Sequence, residues 1–363
     1  MRVLHVITGM QKAAGTTTFV ENVVAGLRLC GHDVEIVTNP NGIGLCDVMH
    51  IHGLWSGLLH KAAAFARLNK IPVVWSTHGM TAPWSMRHKW WKKIPAWWLY
   101  QKWDLKRAAA IHCTTDPEVE WNKALGFKNC FVVPLGTQCK PLVRVPSSSS
   151  RKEDQFIYPT HPPTPTLNSN YPHTLLFVGR IYPVKGLVNL IRAWSLVQDS
   201  TRSTCSTRLQ IQWKLRIVGP DQAGHKAELE SLVRELRLSD SVEFVGPKFG
   251  DELDQEYENC DCLVLPSFTE NFGATVVDAL AHGKPCIAST FTPWRELKDR
   301  GCGWWVSNAP CPLASAIHEM MSLPDAERHD MGARGRKLVD EKYAWDAVVK
   351  SIVTGYEEVV TER

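Results

Sequence analysis

No apolar run in the 363 residues approaches the roughly 18 that a membrane-spanning helix needs, so no helix is expected to cross a bilayer. The first ten residues, MRVLHVITGM, lack the charged, then apolar, then small-residue design of a signal peptide and read as a first strand. The 11 cysteines include no CxxC pair. Cys260 and Cys262 stand too close together, with no second pair, to make a zinc site. Cys113, Cys262 and Cys286 sit in apolar, strand-like runs, where a reduced thiol behaves as a small hydrophobe; the expectation is free, buried thiols in a reducing cytoplasm. Charge is nearly balanced, 41 Lys and Arg against 37 Asp and Glu, too small a bias to imply a nucleic-acid binder. The turn after the first strand, TGMQKAAG, lacks GxGxxG, which disfavours an NAD oxidoreductase. No Asp-x-Asp pair is present to hold a divalent ion.

What the chain does have is alternation. Strand-like runs read at Arg2–Thr8, Asp33–Thr38, Asp47–Ile51, Pro72–Thr77, Ala110–Thr115 and Cys130–Val133, with helical stretches between most of them. Phe19, Val20, Val23, Val24 and Leu27 follow helical spacing after Thr16, and Gly31 ends that helix. Such alternation implies a parallel sheet covered on both faces. From Pro141 to Pro172 the chain turns rich in Ser, Pro, Thr and Asn, a composition that reads as a linker or disordered insertion. The alternation then restarts, with strands at Thr174–Val178, Lys214–Val218, Val242–Val245, Cys262–Pro266, Pro285–Ser289 and Gly303–Val306. The fold class is therefore α/β, two tandem Rossmann-like domains over 1–140 and 173–345 joined by 141–172. Ligands in such folds bind beyond the carboxyl ends of the strands, and two facing domains are expected to form a deep cleft there.

Three strand-end loops of the second domain carry the chemistry. In FVGRIYPVKG, Gly179 lets the backbone approach an anion, Arg180 offers a fork of donors and Lys185 adds a compact charge. In the second, Gly219, with a partner turn at Val245 and Gly246 one strand on, presents backbone groups and little bulk, which suits a flat base or a plain turn equally well. The third loop, LPSFTENFGATVVDALAHGKPCIAS, is the informative one. An acid, Glu270, precedes Asn271, Phe272 and Gly273, and a helix begins near Ala274. Free amides at that helix start favour an anion. Asp278 lies eight residues after Glu270, about one turn into the helix, so both acids can project from the same end.

These residues resemble the retaining glycosyltransferases of family 4, the glycosyl transferases group 1, which have the GT-B fold. The resemblance runs over nearly the whole chain and is densest from 173 to 306. Its most specific part is the family's Glu-x7-Glu region, here Glu270 and Asp278; the second acid is one methylene shorter, and Asn271 stands where glycine is common. It implies that Arg180 and Lys185 face the donor diphosphate, that Gly15 belongs to the glycine-rich loop after the first strand, and that His78 in STHG lies near the transferred sugar. Glu270 is then expected to orient the sugar through its hydroxyls. No metal and no cofactor is expected, because the cations and the helix start supply the positive potential in a site that closure would dehydrate. The C-terminal helix, 346–360, is expected to return to the first domain. The implied reaction moves a sugar from a nucleotide-diphosphate sugar to a glycan or lipid-linked acceptor in lipopolysaccharide or polysaccharide assembly. A sugar-nucleotide epimerase on the same fold and a silent sugar-binding scaffold are the rivals. His50 and His52, in MHIHG, are candidates for acceptor-side roles.

One segment stands apart. Pro83–Arg107 holds six of the 15 Trp and seven Lys or Arg against Asp104 alone. Aromatics mixed with local positive charge suit an anionic membrane surface; helices whose Trp pack onto the first domain are the alternative, and nothing else in the chain supports nucleic acid. The expected location is cytoplasmic, peripheral on the inner face of the membrane.

Overall fold

The computed structural model describes residues 1–9, 15–137, 143–144, 156–157, 173–204 and 213–361. Packing divides the chain into two units, Met1–Gly136 with Glu341–Arg363, and Thr137–Asp340. Most of the expected linker Pro141–Pro172 lies outside the described residues. Within it, β7 (Val143–Arg144) and β8 (Phe156–Ile157) pair antiparallel.

The first unit holds β1 (Arg2–Ile7), β2 (Asp33–Val37), β3 (Val48–His52), β4 (Val73–Ser76), β5 (Ala110–Cys113) and β6 (Cys130–Val132), all parallel, in the order β2-β1-β3-β4-β5-β6. Each end differs from its sequence expectation by only one or two residues. Helix Gly15–Leu29 covers one face with Phe19, Val20, Val23, Val24 and Leu27, all fully buried. The same face is completed by Val348, Val349, Ile352 and Tyr356 of helix Trp345–Thr361. Leu59, Ala62, Ala63 and Ala66 of helix Gly57–Leu68 cover the other face.

The second unit repeats the plan with β9 (His173–Val178), β10 (Trp213–Val218), β11 (Val242–Gly246), β12 (Cys262–Leu265), β13 (Cys286–Ser289) and β14 (Gly303–Val306), ordered β11-β10-β9-β12-β13-β14 and again parallel. Strands buried on both faces need no polar side, and LLFV in β9 and CLVL in β12 are apolar without a break. The strand order reverses between β9 and β12, and a crevice forms where the connections leave such a pair in opposite directions. The cysteines among the described residues are free, with Cys113, Cys262 and Cys286 fully buried. Burial pushes the Cys262 and Cys286 thiols well above their ordinary range.

Candidate active site

The loops after β9 and β12 leave the sheet at that reversal and are tied together. The Phe268 amide donates to the Val184 carbonyl at 2.8 Å. Gly186, at φ +72°, lies so close to Pro266 that a Cβ would run into the Pro266 carbonyl oxygen. This closure brings the Lys185 ammonium onto the Glu270 carboxylate, across 85 positions of sequence. Ser267, fully buried, donates to the same Glu270 oxygen at 3.0 Å. The side chains of Lys185 and Glu270 are 15% and 14% exposed, reachable but sheltered from bulk water. An ion pair so placed can open, because Lys185 can exchange Glu270 for another anionic group and Glu270 can exchange Lys185 for other donors.

Arg180, exposed on the same loop as Lys185, donates to Gln222 at 2.9 Å. The turns after β10 and β11 join the cluster: the Gly179 amide donates to Val218 O at 3.0 Å, and the Gly219 amide to Gly246 O at 2.9 Å. Gly219 is required there, since a Cβ would meet the Gly179 carbonyl oxygen. Val245, next to it, is half-buried at the end of β11. The four strand ends expected to hold the donor are thus neighbours in one unit.

The helix begins at Ala274, as expected, and runs to Ala281. Asn271 does not take the left-handed backbone; Gly273 does, at φ +82°, and it caps the helix with no side-chain hydrogen bond. The first turn of the helix is so left without a side-chain acceptor, and Ala274 is exposed. Phe272 is an anchor: its ring is buried edge-on to Trp294, and its carbonyl accepts from Trp294 Nε1 at 2.5 Å. Asp278, one turn in, accepts from Thr137 Oγ1 at 2.7 Å, while Glu270 is held by Lys185 and Ser267. Burial pushes the Asp278 carboxyl up to about 6, against the opposing pull of that hydrogen bond.

In the first unit, Gly15 opens helix Gly15–Leu29, and the rest of its expected loop, 10–14, lies outside the described residues. His78 follows β4 in left-handed backbone, φ +47°, which is strained for a non-glycine residue. Glu118, which sequence reasoning passed over, holds that turn. Its fully buried carboxylate accepts from Thr77 Oγ1 at 2.6 Å, the Gly79 amide, and both the amide and hydroxyl of Thr114. His50 and His52 are no more than 1% exposed, so the acceptor-side roles expected for them are not met: neither ring can reach a solute.

Residues 165–338 match the family of glycosyl transferases group 1, and residues 45–136 match a glycosyl transferase 4-like domain. Residues 165–338 thus form a glycosyl transferases group 1 domain. It is 31% identical over 202 residues to a D-inositol 3-phosphate glycosyltransferase of Salinispora tropica, covering 53% of this chain and 39% of that protein. It is 28% identical over 183 residues to the lipopolysaccharide 1,2-N-acetylglucosaminetransferase of Salmonella typhimurium, covering 48% and 46%. The chain thus spans less than half the length of these curated relatives. Among solved structures, the sucrose-phosphate synthase of Thermosynechococcus elongatus matches over 100% of both chains with TM-score 0.74 at 18% identity. Anabaena HepE in complex with UDP matches 99% of this chain and 100% of its own with TM-score 0.73 at 15% identity. At these identities the likeness shows the fold, the two-unit α/β GT-B architecture.

Pro83–Arg107 folds as short helices, Pro83–Arg87, Trp90–Ala96 and Lys102–Lys106, with a wide turn over Trp97–Gln101. Pro95 has no amide to donate, and the widened turn begins two residues after it. Trp97 alone of the six Trp is buried, edge-on to Phe127; Trp84, Trp90, Trp91, Trp98 and Trp103 are each more than half exposed. No helix among the described residues is long and apolar enough to cross a membrane.

Proposed function

We propose that the chain is a metal-independent, retaining glycosyltransferase that takes a nucleotide-diphosphate sugar as donor and a glycan or lipid-linked acceptor of cell-surface polysaccharide or lipopolysaccharide. One observation carries this reading: Lys185 and Glu270 meet at the strand reversal of the second unit, on loops that also carry Arg180 and lead into a helix start with no side-chain cap. In the reaction, Lys185 leaves Glu270 for the diphosphate, and Arg180 and the first amides of helix Ala274–Ala281 share the charge that develops on the departing phosphate. Glu270, released, accepts hydrogen bonds from the sugar hydroxyls and fixes the ring over the phosphate. Transfer with retention then proceeds with the leaving phosphate taking the acceptor's proton on the same face. Gly219 and Val245 leave room for the base.

The acceptor side belongs to the first unit. Five exposed Trp among Lys and Arg support its docking on an anionic bilayer at the inner face of the cytoplasmic membrane, where a lipid-linked acceptor is held. The test is turnover of a panel of nucleotide sugars with a lipid-linked glycan, run in excess EDTA. Product with an unchanged anomeric configuration is expected. Loss of all turnover in EDTA, restored by Mg²⁺ or Mn²⁺, refutes the metal-free reading, and an inverted product refutes retention.

A further inference from the structure

Five histidines of the first unit form one hydrogen-bonded chain that the transfer chemistry above leaves unused. His5 on β1, His50 and His52 on β3, Ser76 on β4 and His112 on β5 stand under helices Gly15–Leu29 and Trp345–Thr361, whose Phe19 and Tyr356 close the layer. His5 pairs with His50, and His52 pairs with Ser76 and so on to His112, in register across adjacent strands. These positions are at most 1% exposed.

The links run in one line. His112 Nε2 lies 2.8 Å from the Val133 carbonyl oxygen, and its Nδ1 lies 2.6 Å from Ser76 Oγ. Ser76 Oγ lies 2.6 Å from His50 Nε2, and His50 Nδ1 lies 2.6 Å from Tyr356 Oη. Tyr356 Oη lies 3.3 Å from His5 Nε2, His5 Nδ1 lies 2.9 Å from His52 Nε2, and His52 Nδ1 lies 3.1 Å from His78 Nε2. His5, His50 and His52 bring nitrogens within 4.8 Å of one another, the spacing of a metal trio. Yet every ring nitrogen of the three already has a hydrogen-bond partner in this chain, so none offers a metal an uncommitted lone pair.

A carbonyl oxygen only accepts, and a neutral imidazole has one N–H and one lone pair. His112 must therefore donate from Nε2 to Val133 and accept at Nδ1 from the Ser76 hydroxyl. With its proton spent there, Ser76 accepts from His50 Nε2–H, so His50 Nδ1 accepts from the Tyr356 hydroxyl. Tyr356 then accepts from His5 Nε2–H, His5 Nδ1 accepts from His52 Nε2–H, and His52 Nδ1 accepts from His78 Nε2–H. No other assignment of neutral rings satisfies every link.

We infer that the Val133 carbonyl, acting through this chain, fixes His78 as the neutral Nε2–H tautomer, so that its Nδ1 presents a lone pair to a substrate hydroxyl. No protein group among the described residues hydrogen-bonds that Nδ1. The wire ends on a carbonyl that cannot take a proton, so it orients and does not conduct. His52, His5, Tyr356, His50, Ser76 and His112 are positioning residues; His78 is the group that would touch substrate. Neutrality has support from the surroundings: burial, with the neighbouring rings, holds His50 and His52 well below the ordinary range. Burial takes His5 down to about 3, helped by His112 and Arg28. Burial takes His78 down to about 4 against the opposing pull of Glu118, with His112 adding to the fall. The use of the lone pair rests on the glycosyltransferase reading; the tautomer does not.

Long-range ¹H–¹⁵N correlation on histidine-labelled protein, with no substrate added, reads the tautomer directly. His78 is assigned by the loss of its signals in His78→Gln. Expected is an unprotonated Nδ1 and a protonated Nε2 on His78, unchanged from about pH 8 to about pH 5, across the range where a free histidine titrates. A His78 protonated at Nδ1, or one that titrates near its ordinary value, overturns the inference. Tyr356→Phe removes the central link, and His78 should then populate both tautomers; a single unchanged tautomer in the folded variant shows that the wire is not the cause. Ser76→Ala provides the same test one link away, and the wild-type spectrum decides the matter should both variants fail to fold. A protein that turns over no nucleotide sugar but shows the fixed tautomer sinks only the functional reading.

Discussion

Mild acid should destabilise the first unit while leaving the second firmer. A histidine buried as the neutral base is one the unfolded chain protonates first, so the unfolded state binds more protons between the folded and ordinary values. Stability is then lost as pH falls below the ordinary value of about 6.5. His5 and His78, held at about 3 and about 4, stay neutral in the folded protein at pH 5. Unfolded, each gains roughly 2 kcal/mol from protonation between pH 7 and pH 5. The pair therefore costs the unit about 4 kcal/mol, and His50 and His52 act in the same direction. At about 2–4 °C per kcal/mol for a unit of this size, its melting point should drop by roughly 8–16 °C. The second unit carries the opposite sign. Asp278, pushed up to about 6, binds its proton more tightly when folded, so acidification over the same span adds about 1 kcal/mol. Calorimetric scans at pH 7 and pH 5, with each transition assigned by proteolysis at intermediate temperature, provide the measurement. A first-unit transition that stays within about 2 °C refutes the neutral buried array.

Glu270→Gln should lower turnover by about a hundredfold or more while nucleoside diphosphate affinity stays within about twofold, since the carboxylate is assigned to the sugar; lost nucleotide affinity with unchanged turnover at saturating donor contradicts this. Replacing Lys89, Lys92 and Lys93 together with Gln should cost about 3 kcal/mol of binding to anionic vesicles, more than a hundredfold in partitioning, at roughly 1 kcal/mol per charge. Wild-type protein that fails to sediment with such vesicles at low salt rules the membrane reading out. Gly219→Ala should destabilise the second unit by about 1–3 kcal/mol in urea titration, because the new methyl meets the Gly179 carbonyl.

The twelve strands of the two parallel sheets were legible because most are short runs rich in β-branched or aromatic residues, and central ones, such as β9 and β12, are largely apolar and buried on both faces. The strand-end loops that carry Gly179, Gly219, Gly246 and Glu270 were legible as turns by residue type. What the sequence could not display was that Lys185 grips Glu270, since only the strand order places those two loops together. Phe272 looked like loop chemistry and is an anchor, because its pocket is built by Trp294, distant in sequence. The histidine array escaped for a related reason. VLHVI, VMHIH and AIHC each read as a strand with one or two odd polar residues, and their shared face emerges only from the register of parallel neighbours. The one available signal was the recurrence of histidine inside otherwise apolar strands.

The route of the chain has a consequence for biosynthesis. The first unit is split, with its closing helix Trp345–Thr361 made only after the whole of Thr137–Asp340. A nascent chain on the ribosome therefore holds its opening strands while the face that Val348, Val349, Ile352 and Tyr356 will cover stays bare, and the histidine wire lacks its tyrosine. The intervening unit has all its strands well before that point. Domains fold as units and usually from the N-terminus onward during synthesis; here the order inverts, and the unit begun first is finished second.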